Sequence, residues 1–219
     1  MHIITKKKAK TGFILLILLL FIIAIKENKE AFEEQTKNLL FIHIPKTGGL
    51  SFKKAFDNIK YIEHEVALSH EYKNEIMKKI TIVRNPYDRC VSAYLYLKKG
   101  GRGFKWDLIY QDKILKFQNF KEFLRDLKGF MYEIIHFIPQ HKFIEDESGI
   151  LVDHILRLEN IESDVKQLCN EMKIDTCSIG KENTNKHNHY KTYYDKESQN
   201  IVYHLYKRDF ELLGYTYEL

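Results

Sequence analysis

Lys46 stands between Pro45 and the run Thr47-Gly48-Gly49, with Ser51 and Phe52 just beyond. A lysine beside paired glycines suits the holding of a phosphate-like anion. Gly48 and Gly49 let the backbone come close to a ligand. Amides of the turn, and of a helix that starts after it, point outward, and the helix dipole favours negative charge there. Lys46 adds a mobile positive charge. The apolar run 39–44 before the turn reads as a buried strand, and Ser51 to Phe56 reads as the start of a helix. The order is not that of the nucleotide triphosphatase P-loop, whose glycine loop ends in Gly-Lys-Ser/Thr. Taken alone, the stretch also reads as a tight turn with an exposed lysine.

A second constellation lies about forty residues on. Ile80-Thr81-Ile82-Val83 is a short apolar strand running into Arg84-Asn85-Pro86. Asn85 suits an N-cap and Pro86 the first helical position. Arg84 then falls at the carboxyl end of the strand, and Ser92 about two turns into the helix. A guanidinium fork and a hydroxyl so disposed can converge on one anion. Alone, Arg84 is equally well a surface charge and Ser92 a neutral helix residue.

The two segments together resemble the sulfotransferases that use 3′-phosphoadenosine 5′-phosphosulfate (PAPS), and among them the carbohydrate, Golgi-type family 2 enzymes such as the heparan sulfate 2-O-sulfotransferases. The resemblance implies that Lys46, Thr47, Gly48, Gly49, Ser51 and Phe52 form the 5′-phosphosulfate loop, and that Arg84 and Ser92 hold the 3′-phosphate. It extends through Pro139-Gln140, the Glu159 turn, Asn183 to His187, Tyr193-Tyr194 and Tyr206 to Tyr215, covering roughly residues 39–217. Leu50 departs from the family loop, which usually carries Thr or Ser there. The implied fold is α/β, P-loop-like and three-layered, with a mostly parallel central sheet flanked by helices. The implied activity is in-line sulfuryl transfer to a glycan hydroxyl, with Lys46 stabilising the leaving group and no metal required.

The resemblance also gives a candidate base. His70 occupies the interval in which the uronyl 2-O-sulfotransferases place theirs, and a histidine titrates near neutrality. Glu63, His64 and Glu65 are rivals close in sequence. His187 and His189 read as solvated loop histidines and His43 as structural. The basic stretch Lys98 to Trp106 reads as a flexible acceptor-side loop or as a solvated one. Two other readings stay open, a kinase-like nucleotide-dependent transferase and a membrane-tethered nucleotide-binding module with a degenerate site. The missing Gly-Lys-Ser/Thr argues against the first, while Leu50 keeps the second open.

The elements that must position these groups alternate. Strands are expected at 39–44, 59–62, 80–83 and 150–156, and helices at 49–57, 70–79, 86–98, 119–135, 161–173 and 195–212. Such alternation implies a parallel sheet, with ligands beyond the carboxyl ends of its strands. The chain has 219 residues, enough for one core. Its formal charge of +5 suits an anionic donor and is too dispersed to argue for nucleic acid. Three cysteines make no disulfide framework, although Cys169 and Cys177 could pair.

Lys6, Lys7, Lys8 and Lys10 precede an uncharged run of fifteen residues, 11–25. That is shorter than the roughly twenty needed to span a typical bilayer. No Ala-x-Ala-like cleavage site follows. The organisation expected is a basic cytoplasmic tail (1–10), a signal-anchor transmembrane helix (11–25), a stem (26–38) and a sulfotransferase domain (39–219). This is a single-pass type II arrangement, with a Golgi-type lumenal domain if the source is eukaryotic and a bacterial or viral membrane protein otherwise. No Asn-x-Ser/Thr site occurs in the chain.

Overall fold

The computed structural model describes residues 2–56, 59–64, 77–174, 179–180 and 188–219. Its centre is a four-stranded, all-parallel sheet in the order β2-β1-β3-β6. The strands are β1 (Leu39–His43), β2 (Lys60–Glu63), β3 (Lys78–Val83) and β6 (His154–Arg157). All five residues of β1 are buried, as a central parallel strand covered on both faces requires. Side chains alternate between two cores. Leu39 and Phe41 pack with Phe52, Ile80 and Ile82 on one face, and Leu40 and Ile42 with Val83, Phe143 and Leu213 on the other.

Helices α2 (Gly49–Ala55), α3 (Pro86–Lys98) and α7 (Ile161–Met172) follow β1, β3 and β6. Between α3 and the sheet's last strand lie α4 (Lys105–Ile114), α5 (Phe120–Leu127), α6 (His141–Ile144) and a small hairpin, β4 (Glu145–Asp146) with β5 (Gly149–Ile150). The chain closes with α8 (Lys196–Leu205) and α9 (Lys207–Leu213). The expected α/β fold with helices flanking a parallel sheet is what forms. From β1 the chain adds β2 on one side and then β3 on the other. The loops after β1 and β3 therefore diverge at a topological switch point, where open α/β sheets bind their ligands.

Several expected elements differ in extent. The helix expected at 119–135 ends at Leu127. Gly129 follows, and single turns (Phe130 N–H to Leu127 O, Phe137 N–H to Ile134 O) carry Phe130, Met131 and Ile134 into the core. The strand expected at 150–156 is split at Asp153, whose carboxylate accepts from the Lys79 amide at 2.8 Å at the surface. The helix expected at 195–212 breaks at Tyr206, whose buried hydroxyl donates to Phe137 O. Lys78 and Lys79, expected to end a helix, open β3 by pairing with Leu39 and Leu40. Helix α4 forms where a loop was expected to run on to Trp106.

The N-terminus is one helix, α1 (His2–Thr36), running through the expected boundary between anchor and stem. Ile14 to Ile23 and Ile25 are exposed. Among the described residues no helix is long and apolar enough to cross a membrane. Cys169 is disulfide-bonded and Cys90 is free; Cys177 lies outside the described residues.

Candidate active site

The loop after β1 is closed from within. The Thr47 hydroxyl, fully buried, donates to Ile44 O at 2.8 Å. Its proton is spent on holding the loop. Gly48 has φ 84, and a Cβ there would sit 2.6 Å from Leu158 Cδ1. A Cβ on Gly49 would meet His43 Cδ2 at 2.1 Å. Both glycines are therefore dictated by close approach. Phe52 stacks between Phe41 and Phe56 with centroids 4.5 Å from each, so its ring anchors α2 in the core. Ser51 is buried beside it in the first turn, its amide donating to Gly48 O at 3.0 Å.

At the end of β3, Arg84 laces two loops together. Its Nε and Nη2 reach the Asp88 carboxylate at 2.9 and 2.8 Å, and its Nη1 donates to Lys46 O at 3.2 Å. Its backbone is clasped by Gln140, whose amide oxygen accepts from Arg84 N at 2.9 Å and whose Nε2 donates to Arg84 O at 2.8 Å. Asp209, fully buried, accepts from the Gln140 and His141 amides at 2.7 and 2.9 Å and so holds that clasp in place. Asn85 caps α3 by accepting from Tyr87 N, with Pro86 at N1, and α3 spans 86–98 as its sequence predicts. Ser92, nearly buried, sits midway on a stripe of α3 formed by Asp88, Ser92 and Tyr96 at helical spacing. One end of that stripe holds Arg84. The other holds Lys46, whose Nζ lies 3.8 Å from the centroid of the Tyr96 ring.

Lys46 is under strain and under charge. Its φ is 69. Among the described residues only two other non-glycines are left-handed, and one of them, His64, lies at the same site. Such strain persists where surrounding contacts over-determine it, and here the Arg84 bond to Lys46 O is one of them. Burial, then the Arg84 and Arg102 charges, lower the lysine's pKa to about 8, with Asp107 partly opposing them. Asp107 is buried and accepts from the Tyr96 hydroxyl at 3.0 Å and the Arg102 amide at 2.9 Å.

The family pattern described as "Sulfotransferase family" matches residues 29–216. The chain belongs to the sulfotransferase family. No curated protein and no solved structure matches it. The matched span includes the whole sheet, the loops after β1 and β3 and the Asp209 clasp.

Around Lys46 this sulfotransferase gathers histidines that the sequence did not connect. His43 and His64 have ring centroids 4.6 Å apart, His64 and His136 6.3 Å, and His136 and Tyr96 5.1 Å. Burial first, and then the neighbouring positive charges, lower His43 and His136 to about 3. Burial also lowers His64, with Glu63 partly opposing it. All three are neutral near pH 7. His43 Nδ1 lies 2.6 Å from the Tyr61 hydroxyl. His43, Glu63 and His64 are spaced as metal ligands could be. Yet Lys46, Lys53 and Arg102 press on His43 there, a field that favours an anion. Arg89 is fully buried in the same field. Its Nε and Nη1 donate to Pro45 O and Ile138 O at 2.9 Å, and its Nη2 has no hydrogen-bond partner among the described residues.

Of the expected bases, His70 and Glu65 lie outside the described residues, as does His187. His189 is exposed and caps a short turn. Asp88 was the most accessible of the missed residues, since Arg84 and Asp88 stand at the spacing of a helical ion pair. Gln140, Asp209 and His136 act across long separations and had no local signal.

Proposed function

We propose that this sulfotransferase takes its sulfuryl group from PAPS and transfers it to a hydroxyl of a glycan, an acceptor of the kind used by the heparan sulfate 2-O-sulfotransferases. One observation carries the reading. The two anion loops meet at the switch point, with Arg84 Nη1 bonded to Lys46 O at 3.2 Å. Arg84 still has one N–H left on each terminal nitrogen, and with Ser92 it would hold the 3′-phosphate. The first-turn amides of α2 at Gly49 and Leu50, with Lys46 and Ser51, would hold the 5′ end. The unpartnered Nη2 of Arg89 fits an anionic donor in this region.

PAPS, as donor substrate, supplies an activated sulfur. The acceptor oxygen forms a bond to that sulfur as the bond from sulfur to the phosphate oxygen breaks, and the electron pair leaves with the nucleotide. Lys46 offsets the charge growing on that leaving oxygen. The acceptor proton goes to a histidine. His70 has the family's position; His64 is a partly exposed member of the cluster next to Lys46. His64 is neutral near pH 7, as a base must be. Burial is the main cause of its lowered pKa, and an incoming anion would counter the Arg89, Lys46 and Arg102 charges that add to it.

We also assign α1 to a lipid environment, with the N-terminal lysines on the cytoplasmic side. Its uncharged run is short, so a flanking lysine such as Lys26 would snorkel to the interface. Titration with adenosine 3′,5′-bisphosphate and with AMP tests the donor site. The bisphosphate should bind far more tightly, and equal affinities would overturn the assignment.

A further inference from the structure

Outside α1, seven large apolar side chains are exposed among the described residues, and five of them fall within one short segment: Phe104, Trp106, Leu108, Ile109 and Leu115. Phe104 and Trp106 are 65% and 64% exposed, as open as the apolar side chains of α1. The segment 98–116 carries six Lys or Arg and two Asp. One of those two, Asp107, is buried against Tyr96. The cations Lys98, Lys99, Arg102, Lys105 and Lys116 are exposed alongside the apolar chains.

This mixture discriminates between occupants. The cores of protein interfaces are depleted of lysine, whereas this edge is rich in it. A soluble sugar could stack on Trp106 but has no use for Leu108, Ile109 and Leu115. Aromatic and aliphatic side chains interleaved with lysines match the boundary of an anionic bilayer. The exposed apolar run of α1 needs the same kind of surroundings.

We propose that α4 and the loop before it dock on an anionic lipid surface. The docking edge is linked to the reactive lysine through two side chains, because Asp107 on α4 binds the Tyr96 hydroxyl and the Tyr96 ring carries Lys46. The acceptor class that follows is a glycan presented at a lipid surface. That last step rests on the sulfotransferase reading of Lys46; the docking itself does not.

Trp106 is the only tryptophan in the chain and reports on this edge directly. The full chain is mixed with phosphatidylcholine vesicles, with and without phosphatidylserine, and with versions carrying brominated acyl chains. Trp106 should shift to the blue, lose quenching by acrylamide and gain quenching by the brominated lipid, in the anionic vesicles above all. Lys99→Gln and Lys105→Gln should each weaken this about fivefold, and salt should weaken it further. Vesicle binding with Trp106 still open to acrylamide would mean that α1 alone tethers the chain, and would overturn the proposal. Protection that appears without vesicles and grows with protein concentration would assign the edge to a second copy, and would overturn it too. No nucleotide or acceptor is needed, so failure here is distinct from failure of the donor titration.

Discussion

The loops after β1 and β3 and the segment 98–116 approach the same lysine, yet they are built on opposite plans. On the first side, Thr47, Gln140 and Asp209 are fully buried and each is hydrogen-bonded to backbone. Arg84 spends its guanidinium on Asp88 and on the opposite loop. On the second side, Asp107 and Ile114 are the buried residues of α4, its other ties (Tyr110 to Glu133 O, Gln111 to Lys98 O, Lys113 to the Glu133 carboxylate) lie nearer the surface, and its outer face is open. The difference separates two jobs. A site for charge that grows during reaction must be fixed beforehand, because dipoles that reorient during the reaction cost energy. A surface completed by a partner needs only correct composition and exposure.

The sharpest way to break this comparison is to remove the charge and keep the scaffold. Lys46→Ala should cut turnover by about 10²–10³-fold while changing affinity for adenosine 3′,5′-bisphosphate much less, as steady-state kinetics beside titration would reveal. The lysine's depressed pKa adds a pH test. Above about 8 the free enzyme loses the ammonium, so kcat/KM should fall on that side. On the acid side it should fall once pH drops through the titration of the histidine base, below the ordinary 6.5 if that base is His64. The stability sign is the reverse of catalysis. Between about 8 and 10.5 the unfolded chain holds more protons at this lysine than the folded chain, so stability rises with pH across that window. Lys46→Met should therefore stabilise the protein near pH 7, by on the order of 2–3 kcal/mol. A destabilised Lys46→Met variant would mean the ammonium is structural.

Next in size is the clasp. Asp209→Ala leaves two buried amides, those of Gln140 and His141, without their acceptor. Unfolding in denaturant should register a loss of about 3 kcal/mol, with nucleotide affinity falling as Gln140 loosens on Arg84. Unchanged affinity in a folded Asp209→Ala protein would separate the clasp from the site.

Arg84 and Asp88 make a finer cut. Arg84→Ala should lose roughly 1.5–3 kcal/mol of the preference for adenosine 3′,5′-bisphosphate over AMP. Asp88→Asn should move binding the other way, because on the proposed reading Asp88 would compete with the 3′-phosphate for the same guanidinium. Calorimetric titration of both variants decides this. A weaker Asp88→Asn complex would show that the ion pair orients Arg84 for the ligand and does not compete with it.

What could be read from the residues follows the range of their interactions. Helix α3 was legible to its ends because Asn85, Pro86 and the apolar spacing are local signals. The placing of Lys46 and Arg84 was legible because strand, turn and helix fix where the sheet's carboxyl ends fall. Gly129 was a visible breaker, but the apolar residues after it stay buried in single turns and imitate helical spacing. Asp209 and Gln140 meet across 69 residues, and Gln140 and Arg84 across 56, so neither contact has a periodicity to betray it. His136 reaches the cluster from the same turns that ended the expected helix early. The strain at Lys46 and His64 had no sequence signature, since neither is the glycine that such backbone angles favour.

The smallest expected effect is on the open side, and it tests the comparison from below. Leu108 and Ile109 are 46% and 43% exposed. Replacing both with glutamine removes apolar area that already faces water, so the thermal midpoint and the nucleotide affinity should hardly move, within about 0.5 kcal/mol each. Gly101→Ala supplies the contrast within the same segment. Gly101 has φ 60, and a Cβ there would lie 2.4 Å from Asp107 Cγ, so this change must displace the carboxylate that holds Tyr96 and, through it, Lys46. It should cost stability, and turnover still more. If the Leu108 and Ile109 replacements prove as damaging as Gly101→Ala, the outer face of α4 is part of the scaffold for Lys46, and the two sides of the site are not built on different plans.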